Sequence, residues 1–437
     1  MKRLTIDGLR AFLPELDELR PLVDHLLASS RVDETRTWSE SGELGTAGSR
    51  LVDAAELLQR SQALAEREHE HARTMFGLIA EAIAHVEAGR HDEAASALLR
   101  AAALEEARDR PDRAEAYAHG AFELVRGRRA EESLASVALR RRARARRTLG
   151  RYREASRDYE EAHTIAEAAS DPRGAAEALI GAGNVYEEQG LWSDAEARYR
   201  SALSVLDALE GPVPEHWHAL LNLHVVLRSA GSLEASVEPL ERASEIAAAL
   251  DDSGAAAFLQ NARGQLRMAH EDFPAAEEHL RRALGASGSP RAAITIRLNL
   301  AECLLAQGKS LDAAEEARRA EKESLMARLP QKLPEVYRIL GRIAAHEGST
   351  NAFVLFERAL EIVADRGLPS LERAQTLQAY AEAERRVGDE ETAAGLHEEA
   401  DRLYSELGIE RMRRAWSDRF DAGRDGPKRD IKGTRDD

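Results

Sequence analysis

One short phrase returns about every 40 residues along this chain. It reads GRYREASRDYEEA from Gly150 and GLWSDAEARYRSA from Gly190. Glycine closes one run, a large side chain follows two positions later, and a small, a large and an alanine follow at intervals of three, four and three. The small residue falls at Ala94, Ala155, Ala195, Ser236, Ala276, Ala313, Ala352 and Ala393, with spacings of 40, 41, 40, 37, 39 and 41 from Ala155 onward. Tyr159, Tyr199, Leu240, Leu280, Phe356 and His397 occupy the second large slot, and Ala317 departs from it. Ala162, Ala202, Ala243, Ala283, Ala320, Ala359 and Ala400 close the phrase.

A self-similar period of this length specifies a supersecondary unit that buries its apolar face only against its neighbours. The pattern inside the unit predicts an antiparallel helix pair. Two helices pack closely where one presents a small side chain, and large residues four positions away fill the flanking space. Glycine tolerates the left-handed backbone that ends the first helix. Turn clusters stop the second: SDPRG at 170, EGPVPEH at 210, DDSG at 251, GASGSPR at 285, RLPQKLP at 328 and DRGLPS at 365. The expected fold class is all-α, a stack of helix pairs.

Composition agrees with this and narrows the function. The chain has 437 residues, a length that would ordinarily mean two or three globular domains, but a repeat array needs no central core to grow. Abundant Ala, Glu, Leu and Arg favour helix. A net charge of −17 argues against bulk binding to nucleic acid or an anionic membrane. Cys303 is the single cysteine, so no internal disulfide can form, and Leu304 and Leu305 beside it point to a packing role. The start, MKRLTIDGLRAF, has no apolar signal region, and no run of 18 apolar residues occurs. A soluble, cytoplasmic protein is the expectation.

The segments divide unevenly. Residues 1–49 read as an N-terminal helical cap followed by a polar, Gly-rich loop, and 50–408 as the repeat array. Residues 49–89 hold either two helices or one long one. From Ala94 to Ala155 is 61 residues, one and a half units. Residues 112–126 read as an extra helix there, ahead of the run 130–148. Residues 409–422 form a capping amphipathic helix, and 423–437 a charged, disordered tail.

The phrase resembles the tetratricopeptide repeat. Gly183, Tyr186, Gly190, Trp192, Ala195, Tyr199 and Ala202 match that family's pattern nearly slot for slot, and Leu340, Gly341 and Gly348 match its first half in a later unit. The family repeat is about 34 residues, and the longer spacing here is similar to the long-helix members, such as kinesin light chains and peptide-sensing bacterial regulators. The resemblance implies a right-handed superhelical solenoid whose first helices line a concave groove that takes an extended peptide or a partner segment.

Two residue sets follow as candidates for partner binding. Asn184, Asn222, Asn261 and Asn299 recur at 38, 39 and 38 residues. Asparagine is a poor helix-interior residue, but its amide carries both a donor and an acceptor, so a row of them can hold a peptide backbone of any sequence. The alternative is that each binds an adjacent helix and tightens the stack. Arg140, Arg144 and Arg147 share one helix face and can receive an acidic or phosphorylated segment. Arg338 and Arg342 hold corresponding slots later. Their alternative is pairing with glutamates on neighbouring helices. Arg141, Arg142 and Arg146 point elsewhere.

Signs of catalysis are weak. GKS at Gly308 lacks the first glycine of a phosphate loop, because that position is Cys303, and it follows a helix. The histidines of HEH (69–71) and HWH (216–218) lack the i, i+4 spacing of a metal pair. The expectation is a non-enzymatic scaffold or adaptor with no cofactor and no metal, whose partner is a protein or peptide of acidic character. The alternative is a ligand-responsive sensor acting on a separate effector.

Overall fold

Proline opens helices in this chain and glycine closes them. Pro111, Pro172, Pro214 and Pro290 each stand at the first helical position, where the missing N–H has no intrahelical partner to lose. Asp171 and Ser289 precede two of these and accept from the amides of Gly174 and Ala292, at 2.9 and 3.2 Å. At the turns inside the pairs, Gly190 and Gly308 adopt φ of 74° and 75°.

The computed structural model describes residues 70–406, apart from 72–73, 76, 109, 129–131, 328 and 367–369. The expected cap and loop over 1–49, the capping helix 409–422 and the tail 423–437 lie outside the described residues, as does most of the 49–89 segment. Residues 77–87 are helical, and no strand occurs among the described residues.

The chain falls into two compact units, Met1–Leu149 and Gly150–Asp437. In the first, α1 (His91–Ala107), α2 (Pro111–Val125) and α3 (Glu132–Thr148) pack on one another. Helix α2 is the extra helix expected from the broken rhythm, and it is fully built into the unit, with Ala114, Tyr117, Ala118, Ala121 and Val125 all buried.

The second unit opens with α4 (Tyr152–Ala168), which packs on α5 (Pro172–Glu188). Six pairs follow: α5 with α6 (Trp192–Leu206), α7 (Pro214–Ser229) with α8 (Leu233–Ala249), and α9 (Ala255–Ala269) with α10 (Phe273–Gly285). Next come α11 (Pro290–Ala306) with α12 (Ser310–Met326), α13 (Leu333–His346) with α14 (Asn351–Arg366), and α15 (Ser370–Val387) with α16 (Glu390–Glu406). Successive first helices touch directly, α5 on α7 and so on to α13 on α15, whereas successive second helices have no comparable contact. The first helices therefore form the crowded, inner side of this stack.

The phrase is written into the core. Ala155, Ala195, Ala276, Ala313, Ala352 and Ala393 are at most 1% exposed, and Ser236 in the same slot is fully buried. Tyr199, Leu280 and Phe356 in the large slot are also fully buried, each contributing about 2–3 kcal/mol of burial. Tyr199 packs against Gly183, where a Cβ would stand 2.4 Å from the ring. That slot, seven residues before the turn, also holds Gly264 and Gly341, but in α7 it holds His224, which is fully buried. A second irregularity is Glu271, which takes φ of 60° at the turn where the neighbouring pairs carry glycine.

Candidate functional site

The inner face of the second unit is polar where cores are usually apolar. Four asparagines lie on α5, α7, α9 and α11, all partly buried. They form two bridges between successive first helices. Asn222 Nδ2 donates to Asn184 Oδ1 at 2.9 Å, and Asn299 Nδ2 donates to Asn261 Oδ1 at 2.9 Å. The Tyr199 hydroxyl stands 2.7 Å from both Asn184 Oδ1 and Glu187 Oε2 and shares its one proton between them.

The asparagines do not occupy one slot of the repeat. They stand six residues before Gly190, nine before Gly231, ten before Glu271 and nine before Gly308. Positions three or four apart share a helix face, so the row survives the change of slot. Each bridge uses one donor and one acceptor, and among the described residues the other amide group of each partner has no hydrogen bond. The contact between adjacent helices weighed from the sequence is therefore present in both bridges.

Further along the inner face, Arg338 is largely buried between Glu302, at 4.0 Å, and Glu372, at 3.4 Å. Burial works against its charge, but Glu372, Glu302 and Glu335 outweigh it and hold the guanidinium more firmly protonated than usual. Arg342 pairs with Glu302. Glu302, Arg342, His346, Glu382 and Arg386 line a cleft of about 290 Å³ across α11, α13 and α15.

One inner-face cation was not singled out by the sequence. Arg228, in the last turn of α7, donates from Nη2 to Gln265 Oε1 at 3.2 Å, and its Nε is buried without a partner among the described residues. It stands three residues before the turn glycine, in the slot that holds Glu187 in α5. A charge reversal at one repeat slot was the available signal, masked by the abundance of arginine.

The arginines of the first unit are largely engaged by neighbouring helices. Arg141 donates to Glu106 on α1 at 3.0 Å, and Arg144 lies 3.7 Å from the same carboxylate. Arg146 donates to Glu115 on α2 at 2.8 Å. Arg142 is buried, 3.0 Å from His119 Nδ1 and over the Phe122 ring at 5.0 Å. Of Arg140, Arg144 and Arg147, the expected face, Arg144 is the most exposed, at 61%.

The remaining chemistry-bearing residues have structural partners. His216 Nδ1 accepts from the Val213 amide at 3.1 Å and caps α7. His71 lies 2.8 Å from Glu105. Cys303 is buried, its Sγ 3.3 Å from the Phe273 carbonyl, and burial raises its thiol pKa above the usual value. Gly308 and Ser310 join two helices, which is no phosphate loop. Among the described residues no group of three metal-ligating side chains occurs, and no helix is long and apolar enough to cross a membrane.

Two tetratricopeptide repeat models match the sequence, one over residues 133–208 and the other over 180–252 and 261–324. No curated protein matches the chain. A Rap protein complexed with Competence and Sporulation Factor is similar in structure, with a TM-score of 0.59 and 15% identity over 79% of this chain and 99% of that one. The Rap conjugation gene regulator of the plasmid pLS20, in complex with the Phr* peptide, has a TM-score of 0.56 and 14% identity over 76% of this chain and 96% of that one. At such identities the likeness is one of fold.

Proposed function

We propose that this chain, a tetratricopeptide repeat protein built as an all-α solenoid of helix pairs, is a non-enzymatic interaction protein. It holds an extended peptide or partner segment against the first helices of its second unit. The observation that carries this reading is the pair of asparagine bridges. Each leaves one amide donor and one amide acceptor uncommitted on the inner face, the complement of a peptide backbone. Of two proteins of similar fold, one is complexed with Competence and Sporulation Factor and the other with the Phr* peptide.

The test is a double variant, Asn222→Ala with Asn299→Ala, which removes the donor of each bridge. Retention of mixed-sequence peptide pools, read by equilibrium dialysis and mass spectrometry, is expected to fall about 10-fold, from two hydrogen-bonding amides at 0.5–1.5 kcal/mol each. Tm should move by only a few degrees. Unchanged retention with a large fall in Tm would make the asparagines purely structural.

Arg140, Arg144 and Arg147 on α3 are proposed as a second contact, favouring acidic segments. The triple Arg→Glu variant should lose that preference while the fold remains intact by circular dichroism.

The runner-up is a sensor that changes pitch on binding. Contacts in the second unit run almost wholly between neighbouring helices, and a solenoid of that kind is elastic. Small-angle scattering with and without a retained peptide separates the two readings: an unchanged radius of gyration favours the rigid scaffold.

A further inference from the structure

We infer that the outer face of α12 and α14 receives a second copy of this chain, by two-fold pairing of α12 with α14 of the partner copy.

The argument starts from exposure. Seven large apolar side chains are exposed among the described residues, and four of them fall on these two successive second helices. They are Leu311, Leu325 and Met326 on α12 and Val354 on α14, with Leu311 82% open to solvent. Single apolar residues are ordinary on a surface, but a cluster on one face marks a contact.

The cluster has an address in the repeat. Counted from the small residue of the phrase, the outermost stripe of a second helix takes the position two before it and those two, five, nine and twelve after it. In α12 these are Leu311, Glu315, Arg318, Lys322 and Leu325. In α14 they are Thr350, just ahead of the helix, Val354, Glu357, Glu361 and Ala364, and all ten are exposed. The same positions of α4, α6, α8, α10 and α16 hold no Leu, Ile, Val, Met or aromatic residue.

The charges on the two stripes are opposite at matching positions, Arg318 against Glu357 and Lys322 against Glu361. Along each helix they form like-charged i, i+4 pairs, which work against the helix. Elsewhere such positions are complementary: Arg281, Arg282 and Arg319 pair with Glu277, Glu278 and Glu315. Among the described residues Arg318, Lys322 and Glu361 form no ion pair, and Glu357 accepts from the Tyr380 hydroxyl at 3.4 Å.

These charges choose both the occupant and its orientation. Laying α12 antiparallel on α12 of another copy sets arginine against arginine, and α14 on α14 sets Glu357 against Glu361. A two-fold axis running along the helices instead places α12 over α14 of the partner copy, and α14 over its α12. Arg318 then meets Glu357 and Lys322 meets Glu361, each twice over. Leu311 comes within one helical turn of Val354 of the partner copy, and Leu325 faces its Ala364. A partner of one charge sign would satisfy only one of the two stripes. Two helices of about 10 Å diameter and about 25 Å length present on the order of 500 Å² per copy. That is less than the ~800 Å² of a standard stable interface, so the dimer is a weak one.

Sedimentation equilibrium of the full chain, from about 1 to about 100 µM, reads the association. The wild type is expected to dimerise with a Kd on the order of 10 µM. Arg318→Glu with Lys322→Glu makes the face wholly acidic and should raise that Kd about 10-fold or more, as should Glu357→Arg with Glu361→Lys, which makes it wholly basic. All four substitutions in one chain exchange the charges of the stripes and should restore the wild-type Kd. Leu311→Ser with Val354→Ser should weaken the dimer about 10-fold without any change of charge. Circular dichroism checks that each variant is folded.

A wild type that stays monomeric over this range overturns the proposal. So does a dimer undiminished by either charge-reversed pair or by the double serine variant. A folded four-residue variant that stays monomeric overturns the pairing of α12 with α14. If that variant does not fold, an equimolar mixture of the wholly acidic and wholly basic variants replaces it, and failure of the two to associate has the same force.

Discussion

His224 donates from Nδ1 to the Ser236 carbonyl at 2.8 Å, from a slot that elsewhere in the stack holds glycine or alanine. Its Nε2 is buried with no partner among the described residues. Burial, reinforced by Arg228 one turn on and only partly offset by the bond to Ser236, lowers its pKa from 6.5 to about 4. The unfolded chain therefore binds a proton that the fold does not between pH 6.5 and 4. Stability is complete above pH 6.5 and falls as the pH drops toward 4, by about 3 kcal/mol in all. Melting curves from pH 7.5 to 4.5 should show a steeper fall for the wild type than for His224→Gln, which can still donate to Ser236.

Two helical glycines are expected to respond oppositely to alanine. At Gly183 the new Cβ would stand 2.4 Å from the Tyr199 ring, so Gly183→Ala should cost about 1–3 kcal/mol by overpacking. It should also draw the Tyr199 hydroxyl off Asn184. At Gly395 in α16 a Cβ meets nothing within 4 Å, and Gly395→Ala should stabilise by about 0.5–1 kcal/mol through helix propensity. Urea denaturation of both variants checks the signs.

Glu271 sits at the left-handed turn that closes α9, with φ of 60°. A residue with a side chain is strained there. Glu271→Gly should raise stability by about 0.5–1 kcal/mol despite the added freedom of the unfolded chain, and Glu271→Val should lower it. Denaturant midpoints decide the order.

The arginines differ sharply in structural weight. Arg338→Met leaves Glu372 without its cation, while Glu302 keeps Arg342, and should cost about 2–3 kcal/mol. Adding Glu372→Leu should recover most of the loss. Arg144→Ala breaks an exposed contact to Glu106 and should change stability by about 0.5 kcal/mol or less. Thermal melts of the three variants test this ranking.

The helix pairs were legible because their cause is local. Alanine at a crossing, a bulky residue four positions on and glycine at a turn are requirements of a single unit, and Ala195, Tyr199 and Gly190 satisfy them with the burial and φ expected. The extra helix α2 was legible for the same reason, as an interruption of that rhythm. What escaped depends on which helices become neighbours. That Asn222 would meet Asn184 while Arg141 met Glu106 is set by the offset between elements more than 30 residues apart, which no periodicity encodes. Arg228 looked like one more surface arginine because nothing in its own helix shows that the carboxylates stop short of it. His224 reads as an ordinary polar residue until its slot is aligned with Gly183 and Gly341.

The direct contact of successive first helices carries a thermodynamic consequence. Each junction between pairs can open almost independently of the next, so the free second unit should melt gradually, end by end, with a calorimetric enthalpy exceeding the van't Hoff value. A segment laid across α5, α7, α9 and α11 would span three junctions at once. Occupancy would then be read less as a rise in melting temperature than as a sharpening of the transition, several weakly coupled pieces becoming one cooperative body.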